Sequence, residues 1–456
     1  MRWQWPGVAL LMMISVTVLA QTGGAPGRPE SASPVLTLAE VITRARQDHP
    51  RLAAARERVF MAESDRLAAG RRPNPTLHVS GENFPVESTA GGFDFGRDLE
   101  WFAFVSQTFE TGGKRGLRNA VAARDVDLAQ LDLAAVDREI VSGVKMAYER
   151  ALTTRAQLEL ARENLGNFQQ IVRFNEVRVA EGYTAEGDLI KVRLETQRVE
   201  YAVQRAALDY EQAKIALLRA IGASLFDTGF ELGEQLNFQP VALNVDELEK
   251  AALRRPEVAL AQTQIERAQA ALQLEQARAK PDITTSFGYK RNGPDNALYG
   301  AVSVPLPIFD RNQGAIGRAQ AEVRLAEAWL RQARNDVLAD LAAARRAVEA
   351  AEQQVESLRR DFLARADASR NVALAAYREG AADLLLLLEA QRARTGAQEL
   401  YLRALYDYRL AVHELERAAG IERLPLRDVN TAQAEPLMKS PTTPDKSEFN
   451  RGAENQ

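Results

Sequence analysis

The chain of 456 residues has no cysteine, so neither a disulfide framework nor a lipid on an N-terminal cysteine is available to it. It also lacks an excess of basic residues, because it contains 58 Lys and Arg residues and 62 Asp and Glu residues, which gives a net charge of −4. Nucleic-acid binding needs a basic surface, so we predict no nucleic-acid partner.

Long hydrophobic runs are missing after the first twenty residues. The apolar stretch from Val8 to Ala20 follows Arg2 and ends with a small residue, which is typical of a secretory signal peptide over 1–20. A transmembrane helix needs about 20 apolar residues, so an uncleaved anchor is the weaker alternative. We therefore predict export, with a linker over 21–36 and a largely disordered tail over 421–456, where Pro, Ser, Thr and Gln are frequent.

Residues that carry catalysis or hold metals are also scarce. The three histidines, His49, His78 and His413, have no neighbours at metal-ligand spacing. The fragment GGKRG lacks the hydroxyl residue and the glycine spacing of a phosphate loop, and no nucleophile is grouped with a base. We predict no catalytic, cofactor or metal site and no enzymatic activity.

Proline is absent from two long stretches, between Pro85 and Pro240 and between Pro307 and Pro425, as uninterrupted helices require. A phrase that joins Glu and Gly lies deep in each stretch, EGYTAEGDL from Glu181 and REGAADL from Arg378. These phrases predict the turns of two helical hairpins.

The chain is internally duplicated. An alignment of the chain with itself places Pro50 on Pro256 and Ala62 on Ala268. In each half we predict a helical stretch (38–72; 245–279), a strand pair (76–86 and 98–109; 282–291 and 298–309), a long helix (113–181; 314–379) and a returning helix (188–221; 383–419). The predicted domains are a first repeat over 37–222, an equatorial linker over 223–243 and a second repeat over 244–420.

Apolar residues in the long helices step by three and four, which is typical of coiled-coil seams. At 1.5 Å per residue each long helix is a rod of roughly 100 Å. A long dimeric coiled coil is an alternative, but it leaves the strands unexplained. The seams are Val126, Ala129, Leu133, Val136, Ile140, Gly143 and Ala147 in the first rod and Leu341, Ala344, Val348, Ala351, Val355, Leu358 and Phe362 in the second.

The strand pairs have the length and the alternating apolar faces of strands that cross an outer membrane. Four strands cannot close a barrel, and lipid tolerates no open sheet edge, so the strands must be shared between subunits. Three copies give twelve strands, wide enough for a pore, and a small soluble sandwich is the alternative. The residues predicted to give the first pair its membrane-facing bulk are Trp101, Phe102, Phe104 and Phe109.

The order of elements, the junctions QTFETGGKRG and LPIFDRNQG and the two Glu-Gly tips resemble the TolC-like outer-membrane efflux family over about 38–420. Phrases such as NPTLHVSGENFP look more like its CzcC-like heavy-metal branch. The resemblance implies a mainly α fold with a small β part, namely a trimeric twelve-stranded transmembrane β-barrel continuous with a long periplasmic α-helical barrel. It also implies a homotrimer in the outer membrane of a Gram-negative cell that extends into the periplasm.

The resemblance further implies partners and site residues. A periplasmic adaptor and an inner-membrane pump are the expected partners, besides outer-membrane lipid. The family's pattern places an Asp and a Tyr at the channel aperture and an acidic ring near it, while its aperture Arg is replaced here by Ala382. The matching positions are Asp188, Tyr377 and Glu389 for the aperture and Gly182, Tyr183, Gly380 and Ala381 for the adaptor-contact tips.

The implied function is that of a passive outer-membrane exit duct in a tripartite efflux pump, with heavy-metal cations as one possible cargo. Rings of Asp188 or Glu389 would favour cations. The plainer alternatives are that Asp188 only caps its helix and that Glu389 only lies on a solvated face. The duct of a type I protein-secretion system and a periplasmic coiled-coil adaptor are the alternative functions.

Overall fold

The computed structural model describes residues 34–82, 92 and 99–427. The predicted signal peptide, nearly all of the linker over 21–36 and most of the predicted tail lie outside the described residues. The helices are α1 (Leu38–Asp48), α2 (Pro50–Ala69), α3 (Lys114–Ala180), α4 (Glu186–Ile221), α5 (Val245–Ala252), α6 (Pro256–Arg278), α7 (Gln313–Ser357), α8 (Leu363–Arg378) and α9 (Leu384–Ala419). The strands are β1 (Val35–Leu36), β2 (Thr76–Glu82), β3 (Glu100–Phe109), β4 (Glu231–Leu232), β5 (Ile283–Asn292) and β6 (Asp295–Ser303).

Helix α3 is the central rod of the subunit. Its 67 residues make about 100 Å of helix. The half of α3 near the sheet packs against α2 and α6, and the other half packs against α4 and α9. Two shorter helices therefore lie end to end along one long helix. None of the helices in the described ranges is long and apolar enough to cross a membrane.

The helical stretches predicted over 38–72 and 245–279 are each divided in two. Pro50 and Pro256 occupy the first turn of α2 and α6, where the missing N–H costs no helical hydrogen bond. The ring of each proline prevents the preceding helix from continuing through it. The division follows from the same two prolines that reveal the repeat.

The second long helix, predicted as uninterrupted, contains a π-helical turn at Leu358–Phe362 between α7 and α8. A π turn adds one residue to the helical repeat, so the side chains beyond it rotate around the axis. Leu358 and Leu363 both pack on the core, whereas Phe362 is 46% exposed. The prediction that Phe362 continues the seam is therefore wrong, and Leu363 takes its place.

The four-stranded sheet is antiparallel throughout, with strand order β2-β3-β5-β6. Strand β6 ends at Ser303, six residues before the predicted limit. It also begins earlier than predicted, at Asp295, which pairs with Asn292 across a two-residue turn. Gly293 has φ 62° in that turn, a left-handed value that glycine adopts without strain. The predicted strand residues 83–86 and 98 lie outside the described residues.

The two faces of the sheet differ in character. Opposed residues share a face, so Trp101 and Val105 lie on the face of Phe287 and Val302, which is apolar and largely exposed in the subunit. Phe102 and Phe104 lie on the other face, where the rings contact Lys290, His78 and Tyr299. The prediction that all four aromatic residues of β3 face the membrane together is wrong. Side chains alternate along a strand, so Phe102 and Phe104 lie on one face of the sheet and Trp101 and Phe109 lie on the other.

A partly buried ion pair ties the sheet to the helices. Lys114, the first residue of α3, is 7% exposed, and its Nζ donates to Asp282 Oδ1 at 2.7 Å and to the carbonyl of Lys280. The backbone N–H of Thr111 donates to the same carboxylate oxygen at 2.9 Å. The β3–α3 junction is thus held against the α6–β5 junction, which couples the two repeats where the sheet ends.

A buried charge network joins the two repeats again, halfway along α3. Glu149 is fully buried, and its Oε1 accepts from Arg409 Nη2 at 2.6 Å and from His413 Nε2 at 3.0 Å. The other ring nitrogen of His413 faces Glu416 Oε2 at 2.9 Å, and Lys145 Nζ donates to that oxygen at 2.7 Å. Five charged side chains thus join α3 to α9.

Candidate channel wall and aperture

The two predicted tips are helix-terminating turns of one kind. Gly182 and Gly380 each have φ 77°, and each directly follows the capping residue of the preceding helix. Tyr183 N–H donates to the Arg178 carbonyl and Ala381 N–H to the Ala376 carbonyl, both at 2.8 Å. This is the Schellman motif, in which a left-handed glycine closes a helix. Tyr183 is 74% exposed beyond this turn and Ala381 is exposed as well, so both are open to a partner.

The acidic residues predicted at the aperture lie near the starts of the returning helices. Asp188 is the third residue of α4, and its Oδ1 pairs with Lys191 at 3.0 Å. The N-cap is Ala185, which makes no side-chain capping bond, so the alternative that Asp188 merely caps α4 is wrong. In the other hairpin Asp383 is the N-cap, accepting from Leu386 N–H at 3.0 Å. Glu389 lies on the exposed side of α9.

Tyr377 lies between the two hairpins of the subunit. It is 4% exposed, its hydroxyl donates to Asn175 Oδ1, and burial raises the pKa of its phenol. Arg178 lies over the Tyr377 ring, with the guanidinium carbon 5.3 Å from the ring centroid. Sequence reasoning missed Asn175 and Arg178. The available signal was a polar Asn175 that continues the three-and-four spacing of Phe168 and Ile171.

The subunit is an open wall with two free flanks. The helix order is α2–α3–α6–α7 near the sheet and α4–α3–α9–α8 near the tips. Among the strands that the structure describes, β2 and β6 are the outer strands of the sheet, and they belong to the same two flanks. One flank comes from the first repeat and the other from the second, so copies joined head to tail around an axis would close a ring.

Large apolar residues are exposed along these flanks, and those of α4 recur mostly every seventh position. Such a stripe is typical of a helix that packs against another helix. The exposed residues are Phe60, Met61, Leu67, Leu77, Val79, Ile190, Leu194, Tyr201, Leu208 and Ile215 on the first flank and Leu298, Val302, Leu325, Trp329 and Val372 on the second.

A sequence model of the family described as "Outer membrane efflux protein" matches residues 41–223 and 248–421. The cobalt-zinc-cadmium resistance protein CzcC of Cupriavidus metallidurans is 27% identical over 402 residues, covering 88% of this chain and 93% of the relative. The pyoverdine export outer membrane protein OpmQ of Pseudomonas putida is 26% identical over 430 residues, covering 85% and 86%.

A solved structure, that of CusC, superposes with a TM-score of 0.71 at 20% identity, covering 84% of this chain and 92% of that chain. This likeness confirms the mainly α fold with a small β part. The resemblance to the TolC-like efflux family, stated from the junctions and the tips, is confirmed by the family match and by the CzcC relative.

Proposed function

The chain belongs to the outer membrane efflux protein family, and from this membership we propose that it is the exit duct through which metal cations leave the cell. The protein is a channel of the outer membrane that extends into the periplasm. It works as a homotrimer with a periplasmic adaptor and an inner-membrane pump, as predicted. The family match together with the metal-resistance relative favours this function over a type I secretion duct and over a periplasmic adaptor.

The proposal that the cargo consists of metal cations depends on acidic groups at the ends of the hairpins. Glu186 and Asp188 lie in the first turn of α4, while Asp383 caps α9 and Glu389 follows within two turns. A narrow mouth ringed by three copies of these carboxylates would concentrate cations and repel anions. The name of the CzcC relative, a cobalt-zinc-cadmium resistance protein, supports the same cargo.

The duct would act on its cargo by charge and width alone. In the ranges that the structure describes, no three or more His, Asp or Glu side chains are grouped so as to hold a metal ion. We propose that hydrated cations pass under a weak, salt-screened attraction. We further propose that the chain has no catalytic activity of its own and that its partners select and drive the cargo.

The proposed negative charge at the channel mouth is tested by measuring the ion selectivity of the purified trimer in planar bilayers. Asp188→Asn and Glu389→Gln should each lower the preference for K⁺ over Cl⁻, and the effect should shrink at high salt. Asp209→Asn is the matched control, because it removes an exposed carboxylate from the same helix as Asp188, about 30 Å further along. Unchanged selectivity in both aperture variants would contradict a charged mouth at these positions.

The cargo is tested in cells. Deleting the protein should lower tolerance to Zn²⁺, Co²⁺ and Cd²⁺, and Glu389→Gln should restore that tolerance less well than the control does. If deletion instead impaired export of pyoverdine and left metal tolerance unchanged, the cargo would match the name of the OpmQ relative and not that of CzcC.

A further inference from the structure

The stretch between β6 and α7 carries the most exposed large apolar side chain among the described residues. Phe309 is 92% exposed, and Leu306 and Ile308, shortly before it, are 75% and 62% exposed. We call residues 306–309 the junction segment. Contiguous apolar surface of this kind marks a contact with lipid or with another protein.

The junction segment continues the apolar face of the sheet. Leu298 and Val302 of β6 lie on that face, together with Phe287 of β5. Val304 and Leu306 each precede a proline, which favours an extended backbone, so alternation places both side chains on the same face. The apolar face of an outer-membrane barrel meets lipid. The lipid-facing surface therefore extends beyond the end of β6.

The prolines of this stretch limit how deep it can lie in the membrane. Pro305 and Pro307 have no N–H, and the ladder between β5 and β6 ends at Ser303. Within the stretch, the N–H of Ile308 donates to the carbonyl of Leu306 at 2.9 Å. Backbone outside a ladder needs water and is not tolerated against the hydrocarbon core. Apolar side chains on such a backbone suit the boundary between acyl chains and headgroups, where lipid and water are both within reach.

Polar residues follow the junction segment directly and fix its position. Asp310 and Arg311 come next, and Asp310 Oδ1 accepts from the N–H of Asn312 at 2.8 Å. Asn312 Nδ2 in turn donates to Glu275 Oε2 on α6 at 2.8 Å. The change from apolar to charged side chains thus falls between Phe309 and Asp310, next to a residue that is held against a helix.

The next copy in the trimer is the other candidate for covering the junction segment. Neighbouring strands of the sheet are antiparallel, so in a closed ring the end of β6 lies beside the start of β2 of the next copy. The stretch before β2 reads RRPNP from Arg71, and its residues are exposed. It offers no large apolar side chain to Leu306 or Phe309, and its arginines suit lipid phosphates. A lipid surface therefore fits the segment better than the next copy does.

We propose that the junction segment is a membrane contact, in which Leu306, Ile308 and Phe309 insert into the periplasmic leaflet of the outer membrane at the boundary between acyl chains and headgroups. Three copies would hold the trimer at a fixed depth. In the first repeat β3 ends at Phe109 and the polar Glu110 follows directly, so each subunit contributes one such segment. This contact does not depend on which cargo passes.

Spin labels at single positions test the depth of the segment, because the chain has no cysteine and each variant carries one label. The labelled Phe309→Cys trimer is reconstituted in vesicles of phosphatidylethanolamine and phosphatidylglycerol. Collisions of the label with O₂, which concentrates in lipid, are compared with collisions with a nickel chelate, which stays in water. Phe287→Cys, in the middle of the apolar face, is the hydrocarbon reference. Leu225→Cys, 79% exposed in the linker between the repeats, is the aqueous reference.

The ratio of O₂ to nickel collisions for Phe309→Cys should lie between the two references, and the ratio for Leu306→Cys should lie closer to that of Phe287→Cys. Rare collisions with both reagents would mean that the next copy covers the segment. Nickel collisions as frequent as those of Leu225→Cys would mean that the segment faces water. Either result would overturn the proposal, and if Phe309→Cys formed no trimer, Leu306→Cys would decide by the same criteria.

Discussion

Replacing Glu149 by glutamine should destabilise the subunit by about 3 kcal/mol, because the change removes one charge from a buried ion pair and leaves its partners in place. Glu149 is fully buried, and Arg409 and His413 would remain beside a neutral amide. His413 is itself 7% exposed, so little solvent is available to compensate for the lost carboxylate.

The pH dependence has a definite sign. Burial alone would lower the pKa of His413, but hydrogen bonds to Glu149 and Glu416 outweigh burial and raise the pKa above its usual value. A raised histidine pKa contributes stability that is fully present below about pH 6.5 and is lost as pH rises through the folded-state pKa. The loss caused by Glu149→Gln should therefore be larger at pH 6 than at pH 9.

The carboxylates set the lower pH limit of the range in which the network stabilises the fold. Burial alone would raise the pKa of Glu149 and of Glu416, but His413 with Arg409 and Lys145 outweighs burial and lowers both pKa values. A lowered carboxyl pKa contributes stability that is present above about pH 4.5 and is lost as pH falls through the folded-state pKa. The network should stabilise the fold most between these two limits.

The assay is chemical denaturation of the trimer followed by circular dichroism, at fixed subunit concentration and at pH 6 and 9. Asp209→Asn, which breaks an exposed pair with Arg205, is the control and should cost at most about 0.5 kcal/mol. The reasoning is refuted if Glu149→Gln matches this control, or if its effect grows between pH 6 and pH 9.

Two further comparisons use paired substitutions. Gly182→Ala should destabilise the first hairpin by about 1–2 kcal/mol, because φ of Gly182 is 77°. Gly143 lies within α3 and faces open space in the subunit, so Gly143→Ala should stabilise α3 by about 1 kcal/mol. Equal effects of the two substitutions in denaturation would contradict the turn geometry. Leu363→Ala should lower the free energy of unfolding by about 1–2 kcal/mol and Phe362→Ala should lower it less, because the π turn turns Leu363 toward the core. The reverse order in the same assay would support a seam that runs through Phe362.

The sequence by itself determined the elements that depend on local chemistry. Proline-free runs with three-and-four spacing predicted the long helices, because a seam is a property of one helix read along its own length. The glycines at 182 and 380 predicted the tips, because only glycine adopts the left-handed conformation without strain. Strand alternation likewise predicted the apolar face of the second strand pair.

Tertiary structure alone decided which side chains meet across the hairpins. Tyr377 was assigned to the aperture by its spacing from Gly380, yet its hydroxyl reaches Asn175, about two hundred residues earlier in the chain. The alignment of the two arms sets that contact, and no local pattern encodes it. The same holds for the Glu149–His413 pair and for the π turn that replaces Phe362 with Leu363 in the seam. Spacing along one helix fixes which side faces inward, whereas the partner on that side depends on how separate helices pack.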